Sequence, residues 1–214
     1  MDAVSGGGFS ERKTEHFVLV HGAGHGAWCW FKLLCLLQNS GHRVSIVDLA
    51  GADGVRSFDD YNAPLLGLMA ALPESEKVVL VGHNAGGLSV VHAMHLFGDR
   101  IKQAIFIAAT MLQFGYQTEQ DIKEDSALAS ILLRPWPTAL STARFGSAAG
   151  EGDKSVINRV PRVYIKTAND RMVKPEQQEA MISRWPPSEV MTMDTDHSPF
   201  SAPELLCNLI IKSL

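Results

Sequence analysis

No stretch of this sequence approaches the ~18 uninterrupted apolar residues of a membrane-crossing helix, so nothing in it argues for a membrane partner. Basic charge is also in short supply. Nineteen Lys and Arg stand against 23 Asp and Glu, a net charge of −4, which removes the electrostatic reason to expect nucleic acid. Cysteine is scarce and unpatterned: Cys29, Cys35 and Cys207 are an odd set that suits reduced thiols in a cytoplasmic setting. Residues 1–15 lack the apolar core of a secretory signal, and Asp2, Glu11 and Glu15 are acids that a transit peptide avoids. That segment reads as a disordered lead-in. What remains, residues 16–214, is one domain's worth of chain, with 46% hydrophobic and 20% charged residues across the whole sequence. It contains no internal repeat.

Short apolar runs alternate with amphipathic stretches along this domain. Strands are predicted at residues 16–20, 43–49, 77–81, 103–108, 162–166 and 189–193. Helices are predicted at residues 28–39, 57–72, 85–97, 176–185 and 204–212, the first closed by the Asn-Ser-Gly of residues 39–41. Ser57 suits an N-cap, with Asp59 and Asp60 in the first turn, where they favour the helix dipole. Near-continuous Val/Ile/Leu strands separated by helices predict an α/β fold, a mostly parallel sheet with helices on both faces. One segment breaks the rhythm. Residues 112–160 show no strand, only a helical pattern at 117–133 and a loose Gly/Ser/Ala stretch at 141–155. An insertion at the carboxyl edge of a sheet is where lids over active sites sit, so this reads as a cap.

The chemistry is concentrated in Val78-Val79-Leu80-Val81-Gly82-His83-Asn84-Ala85-Gly86-Gly87. Strand, sharp turn and helix match the nucleophile elbow G-x-S-x-G in every respect but the central residue. The turn is so tight that a side chain at Gly82 or Gly86 would collide with neighbouring backbone. The elbow residue is commonly held at positive φ, a region asparagine tolerates better than most. Asn84 therefore keeps the turn and removes the nucleophile, because an amide supplies no alkoxide. Asp170 follows the fifth strand, where the acid of a triad belongs, and His197 follows the last, where the base belongs. Nucleophile, acid and histidine then run in the α/β-hydrolase order. The small residues of the loop His21-Gly22-Ala23-Gly24-His25-Gly26 let backbone amides approach an oxyanion, with the Ala23 and Ala85 N–H groups as the expected donors.

Two other readings compete for these residues. Gly22-x-Gly24-x-x-Ala27, with Asp48 ending the second strand, also satisfies the dinucleotide fingerprint. None of Tyr61, Tyr116 and Tyr164 has lysine four residues on, as a short-chain dehydrogenase would require, and that reading leaves the elbow and the Asp170/His197 pair unexplained. His21 with His25, and His92 with His95, have spacings that invite a metal, but the first pair lies in a loop and the second on a predicted helix with no third ligand nearby, so a structural role is favoured. No metal and no cofactor is expected. Trp28, Trp30 and Phe31 read as core, Trp28 with the option of walling a pocket.

His16–Phe31, HFVLVHGAGHGAWCWF, resembles the strand, oxyanion loop and helix of the plant methylesterases, relatives of the salicylic acid-binding esterase and of hydroxynitrile lyases. The resemblance continues through VDLAGA, SFDDYNAPLL, EKVVLVGHNAGG, LASILLRPWP and DHSPFSAPELL, and covers most of the chain after Glu15. It implies an α/β-hydrolase fold and, as partner, a small-molecule ester or carboxylic acid: methyl esters of small acids such as salicylate, jasmonate and indole-acetate, cleaved without cofactor. By the same resemblance Asp170 and His197 carry over as triad acid and base, and Ala23 and Ala85 as oxyanion donors. Three departures stand against it: Asn84 for serine, a cap shorter by several tens of residues, and a shortened stretch between Ala52 and Ser57. They leave two functions open, a hydrolase of weak or absent turnover and a receptor-like protein that binds without chemistry. Oligomeric state, a homodimer included, stays open as well.

Overall fold

The computed structural model describes residues 13–51, 55–116, 140, 143–144 and 154–214. Six strands form one sheet: β1 (His16–Val20), β2 (Arg43–Val47), β3 (Val78–His83), β4 (Ile101–Ile107), β5 (Arg162–Thr167) and β6 (Glu189–Met193). Their order is β2-β1-β3-β4-β5-β6, and every pairing is parallel. The described helices are α1 (Phe31–Asn39), α2 (Phe58–Ala71), α3 (Gly86–Phe97), α4 (Lys154–Arg159), α5 (Pro175–Arg184) and α6 (Pro203–Lys212).

Because side chains alternate across a strand, the central strands β1, β3, β4 and β5 each feed two cores. Val18, Val20, Leu80, Phe106 and Tyr164 pack with Leu65 and Met69 of α2 and with Leu88 and Val91 of α3. On the other face Phe17, Leu19, Val79, Ile105 and Ile165 meet Leu33 and Leu37 of α1 and Leu206 and Ile210 of α6. Both faces are covered, which is why the central strands are apolar throughout. The order reverses direction between β1 and β3. In an open parallel sheet such a switch point leaves a crevice at the carboxyl ends of the two strands, because their connections leave toward opposite faces.

Local chemistry explains the element boundaries. Ser57 caps α2 with a reciprocal capping box: its hydroxyl accepts the Asp60 N–H, and the Asp60 carboxylate accepts the Ser57 N–H. The first predicted helix is two elements. A 3₁₀ turn, Ala27–Trp30, precedes α1, which is closed by Gly41 at φ 87. That turn corrects the expectation for the aromatics. Residues three apart eclipse in a 3₁₀ helix, so Trp28 and Phe31 share the outward side and are 61% and 58% exposed, while Trp30 is fully buried. β2 stops at Val47, short of the predicted Leu49, because the Leu49 N–H donates to Nε2 of His21 instead of to the sheet.

Glu15, counted with the lead-in from sequence, is buried. Its backbone N–H donates to Nδ1 of His42 and its carboxylate pairs with Lys102 at 2.5 Å. The helix α4 lies partly in the stretch read as loose and packs against Gly98, where an added Cβ would sit 2.4 Å from Val156 Cγ1. Residues 112–116 and 143–144 are clipped together by the Tyr116 N–H to Ala143 carbonyl bond and the Arg144 Nε to Tyr116 carbonyl bond, both 2.9 Å. The predicted helix at 117–133, most of the cap, residues 52–54 of the shortened stretch between Ala52 and Ser57, and residues 1–12 of the lead-in lie outside the described residues. Among the described residues no helix is long and apolar enough to cross a membrane.

Candidate active site

Four loops meet at the carboxyl end of the sheet. The turn after β1 carries Ala23, the turn after β3 carries Asn84, and the loops after β5 and β6 carry Asp170 and His197. Asn84 sits at φ 53, in the left-handed region. The glycines on either side show why the turn is built this way. A Cβ on Gly86 would stand 2.5 Å from the His21 carbonyl oxygen, and one on Gly82 would stand 2.8 Å from Val90 Cγ2. The Asn84 carbonyl accepts N–H bonds from Thr110 at 2.9 Å and Gly87 at 3.1 Å, which pin the strained residue from two sides.

The side chain of Asn84 is engaged at both ends. Its Oδ1 accepts the Ala85 N–H at 2.6 Å, and its Nδ2 stands 2.8 Å from Nε2 of His197. The orientation follows from the partners, because a backbone N–H only donates and so must face the oxygen. The amide nitrogen then faces His197, whose Nε2 accepts. The imidazole proton is therefore on Nδ1, which donates to Asp170 Oδ2 at 2.8 Å. Asn84 thus imitates the donor that a serine hydroxyl presents to the histidine, without the nucleophile.

Asp170 is held by more than its histidine. Thr167 Oγ1 donates to the same oxygen at 2.8 Å, and the Met172 and Val173 N–H groups donate to Oδ1 at 2.8 and 2.9 Å. Four donors, the His197 ring included, thus converge on one buried carboxylate. The loop that bends around it is clamped by Gln178 of α5. The fully buried Gln178 side chain accepts the Thr167 N–H at 3.1 Å and donates to the Thr167 and Val173 carbonyls at 3.1 and 2.7 Å.

His83, the residue before Asn84, is also fully buried. Its Nε2 donates to the His197 carbonyl at 2.9 Å, and the two rings lie 4.7 Å apart. Burial above all, and then the neighbouring His197, hold its basicity well below the ordinary histidine value, so it is neutral. Ala23 is buried in the β1 turn, which presses on the elbow closely enough that a Cβ on Gly22 would come within 2.5 Å of Asn84 Cβ.

The remaining candidates have other work. His21 donates through Nδ1 to the Gly22 carbonyl at 2.8 Å and accepts Leu49 N–H at 3.0 Å. His92 Nε2 meets Asp59 at 2.8 Å, and His95 Nε2 meets the Gln113 carbonyl at 2.7 Å. His25 stacks on Trp28. Asp48, the ribose ligand of the dinucleotide reading, accepts the Ala27 N–H at 3.0 Å and so closes the β1 loop. Among the described residues no group of three or more His, Cys, Asp or Glu is arranged to hold a metal. The Cys29 thiol, pushed up to about 12 by burial, is no alternative nucleophile.

The sequence profile of the alpha/beta hydrolase family matches residues 17–209. Among curated relatives, Methylesterase 17 of Arabidopsis thaliana is 39% identical over 256 residues, covering 94% of this chain and 92% of that protein. The pheophorbidase of Raphanus sativus is 36% identical, covering 99% and 98%. The crystal structure of the Arabidopsis methylesterase MES16 superimposes with a TM-score of 0.79 at 36% identity, covering 94% of this chain and 98% of that one. The chain belongs to the alpha/beta hydrolases, among the plant methylesterases. Against its methylesterase relatives it is short: the Methylesterase 17 alignment runs over 256 residues, and the whole chain has 214.

Three residues of this methylesterase-type site were not singled out from the sequence. Gln178 and Thr167 brace the acid, and His83 holds the backbone of the base. His83 lies inside the elbow motif, the one signal that points to it. Gln178 looks like any polar residue of an amphipathic helix until its burial is known.

Proposed function

We propose that this chain is a carboxylic-ester hydrolase by descent whose pocket takes a methyl ester of a small plant acid, salicylate, jasmonate or indole-acetate among the candidates. With Asn84 in place of the nucleophile it turns that ester over weakly or not at all. The observation that carries the reading is the double engagement of Asn84. Its amide nitrogen occupies the base, and its oxygen occupies the Ala85 N–H, one of the two expected oxyanion donors. Loss of a serine nucleophile from a working triad costs about 2 × 10⁶ in turnover. Set against a typical turnover of about 10 s⁻¹, this leaves roughly 10⁻⁵ s⁻¹. Loss of an oxyanion donor would remove a further ~10²–10³.

The family membership supports the reaction class, and the intact Asp170–His197 pair supports a site otherwise equipped for it. The deciding assay compares the protein as it stands with Asn84→Ser on an aryl ester and on methyl salicylate. Hydrolysis is expected from the serine variant and not from the parent. Equal rates would end this reading.

A second reading, binding without chemistry, draws on the same observation. A base and a donor that are both satisfied by Asn84 form a closed network that needs no turnover to be stable. Saturable calorimetric binding of salicylate or jasmonate to the parent, with no product formed, is its expected result. Absence of binding across the small plant acids would exclude it.

A further inference from the structure

We infer that Asn84 is itself the substrate of its site: its side-chain amide is hydrolysed in place to a carboxylate, which makes this position a self-modification site. The inference takes from the reading above only that His197 and Asp170 work as a base and its orienter.

Amide hydrolysis needs a donor on the carbonyl oxygen, a base beside the scissile bond and an attacking water. The first two are already aimed at Asn84. The Ala85 N–H lies 2.6 Å from Oδ1, the oxygen on which negative charge would develop. That N–H opens α3, a twelve-residue helix whose positive end favours the same charge. His197 Nε2 lies 2.8 Å from Nδ2, the nitrogen that would leave, and Asp170 holds the far side of the ring at 2.8 Å. The ground state is therefore arranged as an amide bound for acyl transfer, with the amide supplied by the chain. Asn84 and His197 are 3% and 7% exposed, nearly but not wholly covered.

The co-reactant is water. The Nδ2–H bond to His197 opens as the water enters, which frees the one acceptor site of Nε2. Nε2 then takes a proton from the water while the water oxygen bonds to Cγ and the carbonyl electron pair moves to Oδ1 under the Ala85 N–H. The imidazolium then gives the proton to Nδ2, the C–N bond breaks and ammonia leaves. The new carboxylic acid yields its proton to the departing ammonia. One water is consumed, a carboxylate and ammonium are formed, and nothing is oxidised or reduced.

The ordinary ageing route is different. There the next backbone nitrogen attacks Cγ and closes a ring, which reopens to a mixture of aspartate and isoaspartate. Here that nitrogen, Ala85 N, points its hydrogen at Oδ1 and begins a helix packed into the core. Direct hydrolysis yields aspartate alone.

The test is peptide mass spectrometry of the purified full chain incubated in heavy-oxygen water. The expected result is an Asn84 peptide one mass unit heavier, plus the increment of one heavy oxygen, accumulating with time and free of isoaspartate. His197→Ala should slow the conversion by about a hundredfold or more, and Asp170→Asn should slow it as well, each variant first shown to unfold cooperatively like the parent. No conversion, conversion unchanged in both variants, or an aspartate–isoaspartate mixture would each overturn the inference. Ester turnover by Asn84→Ser reports on the function proposed above independently, so either idea can fail while the other stands.

Discussion

Asn84 and His197, 113 residues apart in the chain, meet at 2.8 Å with the amide nitrogen donating to the imidazole. That single bond sets the tautomer of the base and keeps it turned toward the elbow. The histidine, the four-fold-bonded carboxylate and the strained turn support one another.

The strain at Asn84 is measurable. Asn84→Gly removes the side-chain bonds but accepts φ 53 without penalty. Asn84→Val removes the same bonds and adds a β-branched residue in the left-handed region, at a further cost of about 1–2 kcal/mol. Urea unfolding should therefore show a larger loss for valine than for glycine. Equal losses would mean that the elbow relaxes and stores no strain.

In the Asn84→Ser background the acid and base act as one unit. His197→Ala and Asp170→Asn should each abolish most of the restored ester hydrolysis, and the double change should be little worse than His197→Ala alone. Losses that add fully on a logarithmic scale would show that the two residues work separately.

Gln178 carries the loop that presents Asp170. Gln178→Leu strands the buried Thr167 N–H and the Val173 carbonyl, and should cost about 2–4 kcal/mol of stability. The same change in the Asn84→Ser background should lower kcat more than it raises KM, because the acid is displaced while the pocket is kept. A stability loss below about 0.5 kcal/mol would mean that the clamp is dispensable.

Acid should unfold the protein through its buried histidines. His83 has its basicity lowered well below the ordinary 6.5, by burial first and by His197 second. His92 and His42 are lowered as well, burial again the main cause. Below the ordinary value the unfolded chain binds protons that the folded chain refuses, so stability rises with pH in that window and is lost as pH falls. His83 and His92, the buried pair, each contribute a slope of up to about 1.4 kcal/mol per pH unit, and the half-buried His42 contributes less because solvent screens it. Urea midpoints taken from about pH 8 down to about pH 5 should fall only in the lower part of the range, and a flat profile would show that these rings are protonated in the folded protein.

Much of this architecture was legible in the residues. A parallel strand buried on both faces leaves an unbroken apolar run, as in β1 and β3, and all six segments read as strands are strands, the half-exposed edges β2 and β6 included. Glycines at 82 and 86 mark the elbow because a Cβ at 86 would strike the His21 carbonyl and one at 82 would strike Val90. The helix α4 was not legible, since six residues with two apolar side chains carry too little periodicity to register. Trp28 and Phe31 misled because an apolar ring signals burial on average, and only the pitch of the 3₁₀ turn decides which side of the chain faces out.

By itself the sequence determined the fold class, the family resemblance and the asparagine at the centre of the elbow, because each is written in local patterns of a few residues. The tertiary structure decided what the asparagine does. The direction of its amide depends on an N–H at the start of α3 and a ring delivered from beyond β6, and no local pattern relates the two. Backbone donors cannot accept and a buried amide cannot stay unpaired, so once those elements converge only one orientation satisfies every group.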